Sequence, residues 1–330
     1  MQINYYDDIP DKHNGTQLID YLQMQFPYAN QPWASLFAQS RIKIDGLPAQ
    51  PSNVLTAKQH LSISFTHYTE APVDTEWRLL WHKKDVIAVH KPATLPVSRT
   101  TRNIYNTLIA LIKRESDWPD AHLLHRLDLE TSGIVLLGKH KQAAAKWQPE
   151  LNTLMTAKRY HAVVYGSPAW TQKEVMCHLA TRPTSPIRCQ MHVCEPGEKG
   201  KLSQTRFTVI ERGEHFSVVE CELVTGRKHQ IRAHLAHIGH PIVGDKIYAN
   251  MGHYYLKRLA DAITPADEEQ LLAPYHLLFA REVTVNLSAA SEDRHVIINP
   301  FYPSAWRRFC EQHRLTTGVV KPMPRGGHLL

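Results

Sequence analysis

No apolar run in these 330 residues approaches the about 20 that a helix needs to cross a bilayer, so no membrane span is expected. The first residues, Met-Gln-Ile-Asn-Tyr-Tyr-Asp-Asp, carry acid where a secretory signal carries basic residues and then an apolar core. Cysteine is scarce. Cys177, Cys189, Cys194, Cys221 and Cys310 are odd in number and lack CxxC spacing, which reads as reduced thiols in a cytoplasmic protein. There is no internal repeat, no low-complexity tract, and no obvious metal or cofactor site.

What is present is an ordinary soluble composition, 43% hydrophobic and 21% charged, with a formal net charge of +7. That surplus favours an anionic partner, of which nucleic acid is the commonest. The length suits one large domain, or a small domain joined to a larger one.

One stretch stands out: His125-Arg126-Leu127-Asp128-Leu129-Glu130-Thr131-Ser132-Gly133, followed by the apolar run Ile134-Val135-Leu136-Leu137. It places a carboxylate between a basic residue and a small-residue turn, at the edge of a strand. A second stretch, Thr225-Gly226-Arg227-Lys228-His229-Gln230-Ile231-Arg232, offers a charge partner. The pair points to an enzyme working with a lone carboxylate.

The elements around these stretches follow from pattern. Thr16–Leu22 has apolar residues three to four apart, and Pro32–Ala38 has Pro near its start, so both predict short helices. Arg41–Gly46 alternates and ends in Asp-Gly, a strand and turn. Residues 71–80 read as a linker between a small unit, 1–70, and a larger one, 81–330. Within the larger unit, 85–91 is a buried strand ended by Pro92. Residues 104–114 and 140–156 are helical, 134–137, 160–165 and 217–223 are strands, and 227–237 is a helix after Gly226. Mixed order of this kind implies an α/β or α+β domain.

The motif His-Arg-Leu-Asp-x-x-Thr-Ser-Gly, followed in order by Thr-Gly-Arg-x-His-Gln-Ile-Arg-x-His-Leu, resembles the RluA family of RNA pseudouridine synthases over roughly residues 80–305. The resemblance implies an α+β fold, a mixed and mostly antiparallel sheet with flanking helices. It implies isomerisation of uridines in structured RNA, large-subunit ribosomal RNA before transfer RNA, by a monomer with no cofactor. The helix-helix-strand order of residues 1–70 is similar to the alpha-L RNA-binding motif, although Ala29–Ala34 lacks that motif's basic cluster.

The resemblance also assigns residues. Asp128 is the catalytic carboxylate, Arg232 its charge partner and Tyr160 the ring against the uracil. An uracil stacked in RNA must be flipped out to be reached, and Arg126, beside His125, is placed to fill its vacated space. Arg227, Lys228 and His229 open a helix as a phosphate site, and Lys91 lies near the site or on the RNA path. Gln204 and Thr205 match a polar strand step without a catalytic role. The family's late Leu-His-Ala reads Leu278-Phe279-Ala280 here, which puts local packing in question, and 251–273 is longer than the family minimum.

Other readings stay open. Asp128 and Arg232 alone would be a plain buried ion pair. The chain would then be an RNA- or ribosome-binding protein without activity. His229, His234, His237 and His240 have spacings that bind zinc on a helix. No Glu lies in that run, and Asp245 comes only after the Gly244 turn.

Overall fold

The computed structural model describes residues 2–26, 32–66, 68–100, 102–260, 263–288 and 293–318. They form two compact units, Met1–Thr75 with Pro96–Pro119, and Glu76–Leu95 with Asp120–Leu330. This differs from the sequence expectation twice. The division falls inside the expected linker, which is strand from Arg78 onwards, and residues 96–119 join the N-terminal unit instead of the larger one.

A carboxylate accounts for the second difference. Glu70 Oε2 accepts from the backbone N–H groups of Ile104 (2.9 Å) and Tyr105 (3.1 Å), and Oε1 from that of Asn106 (2.6 Å). A helix begun at 104 would leave those donors without helical partners, and Glu70 holds them in a turn instead. The helix starts only at Leu108, where Thr107 Oγ1 accepts from Ala110 N–H at 3.3 Å. Ile104 and Tyr105 pack on the N-terminal core.

That N-terminal unit comprises β1 (Ile3–Asp8), α1 (Leu18–Gln25), α2 (Trp33–Ala38), β2 (Ile42–Ile44), β3 (Leu47–Pro48), β4 (His60–Phe65) and α3 (Leu108–Glu115). Its sheet is antiparallel in the order β1-β4-β2-β3. Asp45 and Gly46, both at positive φ, turn β2 into β3 as Asp-Gly pairs do. Leu18, Leu22, Phe26, Leu36 and Phe65 fill the core. Of the segment expected to lack a basic cluster, residues 29–31 lie outside the described residues.

In the larger unit, β5 (Arg78–Lys83), β6 (Val86–Lys91), β7 (His122–Leu123) and β8 (Ser132–Gly138) come first, then α4 (Lys141–Trp147) and α5 (Leu151–Leu154). Pro149 interrupts what the sequence suggested as one helix over 140–156, and strand resumes at Met155. Next come β9 (Met155–Tyr165), β10 (Gln172–Ala180), β11 (His192–Val193), β12 (Lys201–Arg212), β13 (Phe216–Leu223) and α6 (Gln230–His237). The chain then forms α7 (His253–Ala260), α8 (Pro265–Leu271), β14 (Leu278–Asn286), β15 (Arg294–Ile298) and α9 (Ser304–Gln312). The long connection over 251–273 is thus a helix pair, joined by Tyr254–Gln270 (2.6 Å) and Lys257–Asp267 (2.7 Å) bonds.

These strands make one mixed, mostly antiparallel sheet, β11-β10-β12-β13-β9-β14-β8-β6-β5, with β15 beside β14 and β7 beside β8. Every residue of β6 and β8 is buried, which is why both read as continuous apolar runs. Phe279 is fully buried against Tyr302, ring centroids 4.5 Å apart, so the departure at that position is absorbed by aromatic packing.

The pair β14 and β8 is parallel, with Phe279 opposite Ser132 and Ala280 opposite Gly133. Ala280 also pairs with Tyr160 on β9. Three strands therefore bring the end of the Asp128 loop, Tyr160 and the segment before β14 to one level. Gly133 is required there. Its φ is +119°, and a Cβ would stand 2.5 Å from the Ala280 nitrogen.

Candidate active site

Asp128 sits on the loop between β7 and β8, Arg232 on α6, and Tyr160 midway along β9, all lining one cleft of about 320 Å³. Arg232 Nη1 donates to Asp128 Oδ2 at 2.9 Å. The rest of the guanidinium is committed elsewhere. Nε and Nη2 donate to Asp245 Oδ2 (2.7 Å) and Oδ1 (2.9 Å), the fork geometry that suits a carboxylate. Asp245 is wholly buried, and Oδ1 also accepts from the N–H groups of Ile247 (2.9 Å) and Tyr248 (3.0 Å). The plain buried ion pair is therefore Arg232–Asp245. Asp128 is a third member, with its side chain 31% exposed to the cleft.

Burial pushes the Asp128 carboxyl up, and Arg232 first, with His229 and His276, together more than offset this, leaving it below its ordinary range. The same contest leaves Asp245 far below the ordinary carboxylate value and Arg232 above its own. Burial, then the Asp128 charge, raises the Tyr160 hydroxyl well above a normal phenol. At neutral pH the cleft thus holds an anionic Asp128, a cationic Arg232 and a protonated Tyr160, whose hydroxyl has no hydrogen-bond partner among the described residues.

The Thr-Ser-Gly turn is held by the segment before β14 and by the chain after α6. Thr131 Oγ1 lies 2.7 Å from His276 Nε2, and Glu130 accepts from Lys246 Nζ (2.9 Å) and His276 N–H (3.3 Å). Because β8 and β14 run parallel, the residues preceding both strands meet at the same edge.

The basic residues named from sequence divide sharply. Arg126 and Lys228 are exposed, line the cleft, and have no hydrogen-bond or ion-pair partner among the described residues. Lys91 is not on a solvent path. It is fully buried, and its ammonium donates to the carbonyls of Pro92 (2.8 Å), Leu95 (2.9 Å) and Leu129 (3.1 Å). His125 is also structural, since its Nε2 accepts from Leu136 N–H at 3.0 Å and burial pushes the ring down to about 4. Arg227 is exposed, but its Nε donates to Leu202 O at 3.2 Å.

The helix expected from Arg227 begins three residues later, at Gln230. Gln230 is the reason. Its Oε1 accepts from Thr225 Oγ1 (2.8 Å) and Arg227 N–H (3.0 Å), while its Nε2 donates to Gln204 O (2.9 Å) and Thr205 Oγ1 (2.8 Å). Gln204 and Thr205 thereby anchor the turn that carries Lys228 and His229. His229 precedes the helix in left-handed backbone (φ 53°), which is uncommon outside Gly and Asn.

Tyr248 Oη accepts from Met191 N–H (2.8 Å) and lies 3.1 Å from His229 Nδ1, to which we assign its proton. That assignment leaves the His229 proton on Nε2, 3.7 Å from Asp128 Oδ2. Burial and Arg232 push this ring down to about 4, so it is neutral. The other histidines that suggested zinc diverge. His234 bonds Thr205 (3.0 Å) and Cys177 (3.3 Å), and His240 bonds Tyr165 O (3.0 Å). No group of three metal-ligating side chains comes together among the described residues.

Sequence reasoning missed Asp245, His276, Glu130 and Tyr248. In the sequence Asp245 enters only as a carboxylate too far along the chain to serve the histidine run as a base. Its one local signal is the Gly244-Asp245 turn closing the Ile242-Val243 run, where a buried carboxylate must find a cation.

Residues 85–237 match the model of a family described as RNA pseudouridylate synthase. The chain is 31% identical over 233 residues to human pseudouridylate synthase RPUSD2, covering 70% of this chain and 42% of that protein. It therefore spans less than half the length of this relative. It is 36% identical over 191 residues to the dual-specificity RNA pseudouridine synthase RluA of Vibrio cholerae, covering 57% of this chain and 74% of that one. The solved human RNA pseudouridylate synthase domain containing 4 superposes with a TM-score of 0.55 at 22% identity over 72% of this chain and 94% of that one, a likeness of fold. With a 36% identical relative covered over three quarters of its length, and with the motif residues gathered round one cleft, the chain belongs to the RluA-type pseudouridine synthase family of isomerases.

Proposed function

We propose that this protein isomerises uridine to pseudouridine in structured RNA, with Asp128 as the reacting carboxylate. One observation carries this: Arg232 has its own buried structural partner in Asp245 and still spends an N–H on the half-exposed Asp128. An ion pair that served stability alone would have no use for a second, cleft-facing carboxylate. The reaction breaks the bond from base to sugar, turns the base and rejoins it through carbon, so it is redox-neutral. Attack on the sugar, attack on the base and removal of a sugar proton all require an anionic carboxylate, and Arg232 supplies that. Tyr160 offers a ring for the detached uracil and a hydroxyl that donates, not accepts, a proton at neutral pH. Arg126, exposed and without an ion-pair partner among the described residues, is the side chain to occupy the place of a flipped nucleotide.

Large-subunit ribosomal RNA is the substrate we favour, with transfer RNA next and the cytoplasm as the place of action. The helix-helix-strand order of α1, α2 and β2 supports an alpha-L-like relation. Against phosphate binding there, residues 1–75 carry seven Asp and Glu but only four Lys and Arg. We therefore assign phosphate binding to the larger unit. The test is a map of pseudouridines across ribosomal and transfer RNA in cells lacking the protein, restored with wild type or with Asp128→Asn. A site lost on deletion and regained only with wild type is the expected result. Equal restoration by Asp128→Asn would remove the carboxylate from the mechanism.

A further inference from the structure

Beside the cleft lies a second cavity of about 240 Å³. The two share Arg126, Asp128, Lys228, His229 and Arg232. The rest of the second lining is different in kind, and Lys246, Tyr255 and Arg258 come from beyond the residues that match the family model. Tyr255 and Arg258 stand on α7, part of the long connection noted in the sequence.

Internal pairing leaves this cavity short of negative charge. Lys246 is satisfied by Glu130 at 2.9 Å and Pro274 O at 2.6 Å. Asp128 shares Arg232 with Asp245, so one carboxylate charge of that group is left over. Arg258 reaches Glu130 only at 3.8 Å, and Arg126 and Lys228 have no partner among the described residues. Three cations thus face one space with a single carboxylate charge to set against them, an excess that can receive a phosphodiester.

The same space offers a surface for a base. Leu129 is 44% exposed, an uncommon state for a leucine that lines a cavity. The Arg258 guanidinium lies 5.3 Å from the Tyr255 ring centroid. The ring is held in place, since Cys189 Sγ donates to its hydroxyl (3.3 Å) and its own N–H bonds Lys246 O (3.1 Å). An aromatic ring and an arginine beside unpaired cations are the parts from which single-stranded nucleotides are bound.

We propose that this cavity binds one unpaired ribonucleotide adjoining the target uridine, its base against Tyr255, Arg258 and Leu129 and its phosphate on Lys228. The proposal rests on the activity proposed above. Arg126 and Lys228 line both spaces, so the nucleotide next to a uracil in the cleft is the one within reach. α7 is then a specificity element that restricts which uridines are modified.

The test uses the full chain and an RNA hairpin cut around the mapped uridine, with 2-aminopurine at each neighbouring position in turn. Binding should quench fluorescence at one position, and Tyr255→Leu should abolish that quenching. Tyr255→Leu and Arg258→Ala should each raise KM about tenfold and leave kcat within about twofold. Tyr255→Phe, which keeps the ring, should retain the wild-type KM and so separate stacking from misfolding. An abasic residue at the responding position should raise KM equally, and combining it with Tyr255→Leu should add nothing further. If no position responds, or the two losses add in full, the cavity is not a nucleotide site even though wild type still turns over. If wild type forms no pseudouridine in any RNA, the activity itself fails and the subsite with it.

Discussion

Asp128 and Asp245 share one arginine and differ in everything else. Asp245 is buried, takes four hydrogen bonds and neutralises Arg232. Asp128 takes one of Arg232's N–H groups and keeps solvent contact. Their substitutions should separate accordingly. Arg232→Met strands a buried carboxylate and should cost about 3–5 kcal/mol in denaturant unfolding. Asp128→Asn, at a partly exposed position, should change stability by less than about 1 kcal/mol while abolishing turnover. The folded pKa of Asp245 lies below the about 3.9 of an unfolded Asp. Its stabilising contribution is therefore complete above roughly pH 5 and is lost only as pH falls towards the depressed folded value. A melting series from pH 7 to 3 should show a steep acid loss in wild type and a shallower one in Arg232→Met.

Asp128, Arg232 and Tyr160 could be named from sequence because each lies in an ordered string of residue types. The Arg232–Asp245 fork could not, because it exists only once the turn after Val243 folds back on α6. Lys91 misled for a related reason. A lysine ending a strand reads as solvated, and only the folded loop supplies the three carbonyls that bury its ammonium.

At the scale of elements, the parallel contact of β8 with β14 places the site. It brings His276 to Thr131 and the residues before both strands to one edge. Gly133→Ala should force that contact apart, since the residue sits at φ +119° against Ala280 backbone. We expect a loss of at least about 2 kcal/mol and a Tm lowered by roughly 5 °C or more. Alternating and apolar runs made the central strands legible, whereas helix starts at 108 and 230 were not. Glu70, distant in sequence, holds the backbone donors at 104–106 that a local reading gives to a helix, and Gln230, anchored on Gln204 O and Thr205 Oγ1, holds Arg227 N–H ahead of the other.

Charge is the property of the whole molecule with the clearest consequence. The chain carries +7, yet residues 1–75 are acidic on balance, so the positive surplus lies after residue 75. Affinity for RNA should fall steeply with salt. The double variant Arg126→Ala, Lys228→Ala should reduce the slope of log K against log salt by at least about 0.7, the value for the one single-strand phosphate contact assigned to Lys228. Arg41→Ala with Lys43→Ala, in the N-terminal unit, should leave that slope unchanged. Equal losses from both pairs would place RNA on the N-terminal unit as well.

The three backbone donors held by Glu70 bear on how this gene could ever have been cut or joined. The first unit is not a bead on a string, because 24 residues from the middle of the chain, Pro96 to Pro119, complete it. A fragment starting at residue 76 would keep every residue of the cleft, yet leave Ile104 and Tyr105 without the core they pack on and the turn at 104–106 without its carboxylate. Loss or exchange of the first 75 residues is therefore not a neutral step for the remainder. A chain without them would have to find new acceptors for the backbone donors at 104–106.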